Sequence, residues 1–428
     1  MKKSIKYIFS IMLLLAVMIS ALGCSWISTP PKDEDPTDDI PSYGCEVALP
    51  DSITEAESIK INTFTPAERE DSDMSLQEAV SKVKRSSVAV ITTEGSGSGT
   101  IIDIDDGVNA KNVFYILTCH HVIENATTVT VYVPDLNYRY AENEDYTFTG
   151  TIGGERTSEQ AVSLVGGDFK SDVAVLKLYV KDDAIASTIE KVKIMSNDYS
   201  CTEGETVFAI GNPTGSLPGS VTSGVISYVN RTTSVDDIGT MTLLQIGVMI
   251  SPGSSGGGLF NLYGELVGIT NAGNASKLTF YAIPHRITET AESDFGFINV
   301  AKQLIATCTD DNYGYVSGRK DTIGFTISQL QGSYSTTYVS VTAVTSNSQA
   351  EKQGLKVGDV ITQLEIKGVK YDITTVSEFS GRMDTLKPGD KFTIHLLRDS
   401  QAKTVEITIY QQYFRDTGVY PSAQTPAP

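Results

Sequence analysis

Apolar residues fall along the 428-residue chain in three textures. From Tyr7 to Leu22 they run almost unbroken behind Lys2, Lys3 and Lys6, which is the pattern of a secretory signal and not of a folded element. In Pro30-Pro31-Lys32-Asp33-Glu34-Asp35-Pro36-Thr37-Asp38-Asp39 they vanish, leaving nothing to bury, and the segment predicts a tether. From about Ser75 they return as short runs broken by Gly and Asn, among them Ser87–Thr92, Thr128–Val133 and Asp172–Val180. Runs of that length, with little helical periodicity between them, predict antiparallel strands in a barrel or sandwich. Helical patterning is confined to Met74–Val83, which opens the body, and to Asn299–Ala306, which closes it before a polar joint at 309–320. A second strand-rich unit then runs from about Thr322 to Tyr410 and ends in a Pro- and Ser-bearing tail.

These textures divide the chain into a signal (1–23), an acidic tether (24–73), a main strand-rich domain (74–308), a smaller one (309–412) and a flexible tail (413–428). A hydrophobic content of 40% and a charged content of 20% fit globular domains, and the length asks for two or three of them. The net charge of −19 argues against nucleic acid as a partner, because phosphate backbones demand clustered Lys and Arg. It argues equally against a basic patch on an anionic lipid surface. The signal ends Ser20-Ala21-Leu22-Gly23-Cys24, which resembles a bacterial lipobox and makes Cys24 the expected site of lipid attachment. An uncleaved N-terminal transmembrane anchor is the alternative, although the apolar stretch is marginal for a bilayer core of about 30 Å. Either arrangement places the protein on the outer side of the membrane. Cys45, Cys119, Cys201 and Cys308 remain; they allow three pairings, match no metal spacing, and read mostly as buried free thiols. No metal or cofactor is expected.

The most informative segment is Pro252-Gly253-Ser254-Ser255-Gly256-Gly257-Gly258-Leu259. A serine that is acylated in catalysis needs its hydroxyl exposed on a tight turn, with backbone N–H groups aimed where an oxyanion develops. In the pattern Gly-x-Ser-Gly-Gly the nucleophile is Ser255, and the donors are the N–H groups of Gly253 and Ser255. A general base must accompany it. Of four histidines, two end the apolar run Val113 to Cys119, and Thr-x-x-His spacing from Thr118 selects His121 over His120. The base needs a carboxylate to hold its tautomer, and Asp172 stands at the mouth of a predicted strand. The chain order His, Asp, Ser is that of the chymotrypsin arrangement.

Several further runs make the resemblance specific. Gly95-Ser96-Gly97-Ser98-Gly99-Thr100-Ile101-Ile102, Ile116-Leu117-Thr118 with His121-Val122-Ile123, and Asp172-Val173-Ala174-Val175-Leu176 resemble the bacterial high-temperature-requirement (HtrA/Deg) serine proteases. Ala209-Ile210-Gly211-Asn212-Pro213, Val221-Thr222-Ser223-Gly224-Val225-Ile226-Ser227 and Phe280-Tyr281-Ala282-Ile283-Pro284 extend it over about residues 75–410. The resemblance implies a mainly β fold, with a chymotrypsin-like double six-stranded β-barrel followed by a PDZ domain. It implies a homotrimer or larger assembly and PDZ-regulated cleavage of unfolded or exported proteins at the cell envelope. Two positions depart from the family: Ser254 replaces the usual Asn, and Ile246-Gly247-Val248 stands where Thr-Asp-Ala is common. Neither removes a catalytic group. Met249, Ile250 and Asn271 are expected to line a shallow apolar specificity pocket that prefers small or medium aliphatic residues.

In the second unit, Ala350 to Ile361 resembles the most recognisable stretch of PDZ domains. Thr322-Ile323-Gly324-Phe325 looks like their carboxylate-binding loop, with hydrophobic C-terminal peptides as ligands added strand-wise to the sheet. A P-loop is lacking, so ATP-driven unfolding is not expected of this chain. The competing expectation is a catalytically idle peptide-binding or holdase protein that keeps the protease fold.

Overall fold

The computed structural model describes residues 56, 59–64, 73–105, 112–133, 147–152, 161–196, 198–235, 238–274, 276–287, 296–309, 313–320, 323–331, 337–346 and 348–412. The signal, Cys24, Cys45, Thr322 and the tail from 413 lie outside the described residues. All described residues belong to one compact unit, Glu46–Pro428.

The strands in the first half are β1 (Lys60–Ile61), β2 (Ser87–Thr92), β3 (Ser96–Ile102), β4 (Ile104–Asp105), β5 (Val113–Cys119), β6 (Thr128–Tyr132), β7 (Thr147–Thr151), β8 (Val162–Asp168) and β9 (Val173–Tyr179). Seven of them form one antiparallel sheet in the order β7-β6-β2-β3-β5-β9-β8, while β1 pairs with β4 alone. The alternation in β6 works as expected, with Val129 and Val131 buried and Thr128, Thr130 and Tyr132 more exposed. Strand β5 lies between β3 and β9, and six of its seven residues are buried, which is why it reads as an unbroken apolar run.

The second half contributes β10 (Thr206–Gly211), β11 (Ser220–Val235), β12 (Gly239–Ile246), β13 (Gly258–Asn261), β14 (Leu266–Asn274) and β15 (Thr279–Pro284). They close into a six-stranded barrel in the order β10-β11-β12-β15-β14-β13. Phe208 and Phe260, paired in register, stack at 5.5 Å in the apolar core that the barrel shares with the first half, while their neighbours Val207, Ala209 and Leu259 fill the barrel's interior. The mainly β, chymotrypsin-like architecture is as expected: one half is a closed barrel of six strands, and the other is a sheet of seven whose end strands β7 and β8 lie against each other. The additional strand, β7, is the polar Thr-Phe-Thr-Gly-Thr, which carries little apolar alternation.

Ser75 and Glu78 cap helix Leu76–Val83 reciprocally, and the helix buries Ala79 and Val83. Helix Phe297–Thr307 buries Phe297, Val300, Ala301 and Leu304 and packs against β8 and β9. The smaller domain holds β16 (Phe325–Gln331), β17 (Thr337–Val344), β18 (Val360–Ile366), β19 (Val369–Asp372), β20 (Lys391–Arg398) and β21 (Gln401–Thr408). Its sheet runs β16-β17-β18-β20-β21, with β19 on β18. Thr375 and Glu378 form a second capping box on helix Val376–Asp384, whose Phe379 meets Phe325 edge-on at 5.9 Å. Among the described residues no helix is long and apolar enough to cross a membrane.

Candidate active site

Three segments meet where the seven-stranded sheet faces the barrel. β5 ends in the short helix His120–Ile123, β9 begins just after Asp172, and the loop between β12 and β13 carries Ser255. His121 Nδ1 lies 2.7 Å from Asp172 Oδ2, and the His121 backbone N–H donates to Oδ1 at 2.8 Å. The carboxylate is only 1% exposed, so it is held by hydrogen bonds and not by water. Burial pushes the His121 pKa down, but the hydrogen bond and charge of Asp172, aided by Glu124, outweigh it and leave the pKa raised. The neighbouring His120 is buried and its ring meets Phe169 edge-on at 5.9 Å. Burial lowers its pKa, so it stays neutral where His121 charges more readily.

The loop bearing Ser255 is shaped by contacts that only glycine tolerates. Gly253 has φ +95°, and a Cβ there would lie 2.4 Å from Asn212 O. A Cβ on Gly256 would lie 2.2 Å from Ser98 O. Ser98, on β3, stitches the two halves together. Its N–H donates to Ser255 O at 2.8 Å, its hydroxyl donates to Gly253 O at 2.8 Å, and its Oγ accepts from Asn212 N–H at 2.7 Å. Pro252 O accepts from Thr214 N–H at 2.7 Å, which turns the following peptide so that its carbonyl faces Thr214. Among the described residues the N–H groups of Gly253 and Ser255 have no acceptor, the condition an oxyanion site requires. Ser254, the departure from the family pattern, accepts at its hydroxyl, among the described residues, only a long contact of 3.4 Å from Ser251 N–H.

Ser255 Oγ donates to the main-chain carbonyl of Asn271 at 3.0 Å, and among the described residues no hydrogen bond joins it to His121. The sequence placed Asn271 in a specificity pocket; its side chain is instead buried, and its amide donates to Asp172 Oδ2. The cause is a β-bulge. Thr270 pairs with Ala282 but Ala272 pairs with Tyr281, so Asn271 is the extra residue whose side chain is re-aimed. Of the other expected pocket residues, Met249 is 66% exposed, while Ile250 is half-buried against the barrel core.

Donor atoms of Cys119, His121 and Asp172 lie within 4.8 Å of one another. Burial and the Asp172 charge push the Cys119 thiol pKa far up, however, which keeps it protonated and a poor metal ligand. Cys201 is likewise buried, with its thiol pushed up to about 12 by burial and Glu205. Cys119 and Cys201 are both free thiols, and Cys308 is half-buried.

In the smaller domain, Gly324 has φ +84°, and its carbonyl accepts from Thr345 N–H at 2.8 Å and Ser348 Oγ at 3.2 Å. Ile323 and Phe325 flank it and pack on the domain's core.

Sequence reasoning missed Ser98, Thr214 and the orientation of Asn271. Ser98 sat inside a Gly-rich run singled out only as a pattern. Thr214, in left-handed backbone at φ +60°, gave no signal beyond its place after Asn212-Pro213.

Residues 97–269 match the trypsin-like peptidase domain family, and residues 322–409 match the PDZ domain family. The chain therefore carries a trypsin-like peptidase domain and one PDZ domain. It is 32% identical over 316 residues to the "Serine protease Do-like HtrB" of Bacillus subtilis, covering 70% of this chain and 59% of the relative. It is 31% identical over 341 residues to the "Serine protease Do-like HtrA" of the same organism, covering 75% of this chain and 65% of the relative. The "Probable periplasmic serine protease do/HhoA-like" of Haemophilus influenzae is 30% identical over 322 residues, covering 74% of this chain and 58% of the relative. The chain thus spans less than two thirds of the length of these relatives.

Proposed function

We propose that the chain is an HtrA-type serine endopeptidase that cleaves unfolded or exported proteins through an acyl-enzyme, without ATP, on the outer face of the cell envelope. The observation that carries this reading is the His121–Asp172 pair at 2.7 Å beside a Gly-x-Ser-Gly-Gly loop with two unpaired N–H groups. On substrate binding, Ser255 Oγ leaves the Asn271 carbonyl and turns to Nε2 of His121, which takes its proton as the hydroxyl attacks the scissile carbonyl. The N–H groups of Gly253 and Ser255 receive the oxyanion, and Asp172 stabilises the imidazolium. His121 then protonates the leaving amine, and water, activated by the same base, releases the acyl group from Ser255.

The raised pKa of His121 suits this role, because a stronger base takes the serine proton more readily. Met249 and Ile250 offer apolar surface, with no acidic group of their own, for a small or medium aliphatic side chain before the scissile bond. In the PDZ domain, Thr322, Ile323, Gly324 and Phe325 would capture the carboxylate and last side chain of a hydrophobic C-terminal peptide, and occupancy would regulate cleavage. Lipid on Cys24 would tether the protein to the membrane, and homotrimer formation follows the family.

A second reading has a specific observation behind it. Ser255 donates to Asn271 O and not to His121, as it would in an idle peptide-binding protein that keeps the protease fold. Casein cleavage by the full chain beside Ser255→Ala, with and without a hydrophobic C-terminal peptide, separates the two. Cleavage by the wild type alone supports the peptidase. Folded protein that never cleaves casein supports the binding protein.

A further inference from the structure

Asp172 sits at the end of the hairpin turn that joins β8 to β9. It has φ +53°, a left-handed backbone that is uncommon for a residue with a Cβ, although Asp tolerates it better than most. Within the turn, Asp172 N–H donates to Phe169 O at 3.2 Å, a long bond for fixing a strained residue. What precedes it is held more firmly. The carboxylate of Asp168, 3% exposed, accepts from Ser171 N–H at 3.0 Å and from the Ser171 hydroxyl at 2.6 Å. The same carboxylate is also gripped by a residue from a distant part of the chain, which shares Oδ2 with Ser171. Arg319 donates from Nε to Oδ1 at 3.2 Å and from Nη2 to Oδ2 at 2.9 Å. This is the planar two-point pairing that guanidinium makes and ammonium does not.

Arg319 belongs to the joint between the two domains, and the joint is itself pinned. Arg319 O accepts from Gln412 N–H at 2.8 Å, and Gly318 N–H donates to Gln411 Oε1 at 3.1 Å. Gln411 Nε2 donates to Val316 O at 2.8 Å, and Lys320 Nζ to Met383 O at 2.8 Å. A continuous set of short polar contacts therefore runs from the end of the smaller domain through Arg319, Asp168 and Ser171 to the backbone of Asp172.

We propose that Arg319 and Asp168 are positioning residues for the reaction, holding the β8–β9 turn so that Asp172 presents its carboxylate to His121. The inference rests on the peptidase reading for its kinetic consequence but not for its geometric one. Neither residue touches substrate or a reacting atom; both act through the placement of Asp172. Loss of the clamp lets the turn relax toward ordinary backbone. The Asp172 carboxylate then drifts from His121 Nδ1, and turnover falls while substrate binding is untouched.

The test uses the full chain with Arg319→Gln, Arg319→Lys, and the double variant Asp168→Asn/Arg319→Gln, which leaves no buried charge unpaired should the single Gln variant fold poorly. Two quantities are read. The first is kcat and KM on a peptide substrate. The second is the NMR titration midpoint of His121 in the Ser255→Ala background, where among the described residues Asp172, Glu124, His120 and Cys119 are the titratable neighbours. The expected result is a kcat lowered about tenfold or more, with KM within about twofold, in Arg319→Gln and in the double variant. The His121 midpoint should move to lower pH as Asp172 loses contact, and Arg319→Lys should fall between these variants and the wild type. A purely structural role would lower the melting temperature and leave kcat and the midpoint at wild-type values, and that result overturns the proposal. If the wild type itself cleaves nothing, the peptidase reading fails, and the His121 midpoint alone decides the positioning claim.

Discussion

Replacing Ser98 by Ala removes one hydroxyl from a site where it has two jobs. The hydroxyl donates to Gly253 O at 2.8 Å and accepts from Asn212 N–H at 2.7 Å. Ser98 is fully buried and Asn212 is 1% exposed, so water cannot replace either bond. An orphaned buried polar group costs about 1–3 kcal/mol, and two orphans, partly relieved by local relaxation, predict a loss of about 2–4 kcal/mol. The functional consequence is larger than a distance from the nucleophile would suggest. The Gly253 carbonyl anchors the loop whose N–H groups receive the oxyanion, and removing one such donor outright lowers turnover about a hundred- to a thousandfold. Loosening the loop without deleting the donor should lower kcat about ten- to a hundredfold. The assay pairs peptide cleavage with thermal unfolding of wild type, Ser98→Ala and the neighbouring control Ser254→Ala, whose hydroxyl accepts, among the described residues, only a 3.4 Å contact. The control should lose far less on both measures. Ser98→Ala with kcat within about twofold of wild type and an unchanged melting temperature would show that the hydroxyl holds neither the loop nor the fold.

Further outcomes follow from the same geometry. Ser255→Ala, His121→Ala and Asp172→Asn should each lower kcat about a thousandfold or more, while His120→Ala should keep turnover within a few-fold, as measured by peptide hydrolysis. The raised His121 pKa predicts that activity falls with acidification at a midpoint above the ordinary value of about 6.5, read from the acid limb of kcat/KM. Its effect on stability has the opposite sign. The pair's contribution is full below the unfolded pKa and is lost as pH rises through the folded one, so His121→Ala should destabilise more at pH 5 than at pH 9 in denaturant titrations. Gly324→Ala would place a Cβ 2.2 Å from that of Ser348 at φ +84°, and it should weaken binding of a hydrophobic C-terminal peptide at least about tenfold by fluorescence polarisation.

Elements whose patterning is local were legible in the sequence. Strand Ser87–Thr92 is where its apolar run lies, and Thr128–Tyr132 ends one residue short of the expected Val133. Helix Leu76–Val83 begins two residues after the expected Met74 because Ser75 is its cap, and Phe297–Thr307 begins early because Phe297 and Ile298 already face the core. His121, Asp172 and Ser255 stood out in the sequence because their chemistry demands particular residue types in recognisable surroundings, and the first two meet at 2.7 Å. What could not be read depends on contacts between distant segments. The bulge at Asn271 exists only as a register difference between β14 and β15, so nothing local announces that its amide turns to Asp172. Ser98 looks like one more small residue in a Gly-rich run until β3 is laid against the Ser255 loop. Strand β7 has too little apolar alternation to stand out, and pairing with β6 supplies what propensity does not.

The central claim is that Ser255 is a nucleophile activated by His121, although its hydroxyl rests on Asn271 O. Treatment of the full chain with a fluorophosphonate, followed by peptide mapping in the mass spectrometer, tests it most directly. One covalent adduct is expected, on Ser255, absent from Ser255→Ala and formed far more slowly in His121→Ala. Folded protein that stays unlabelled at Ser255 under conditions that label a known serine protease would contradict it.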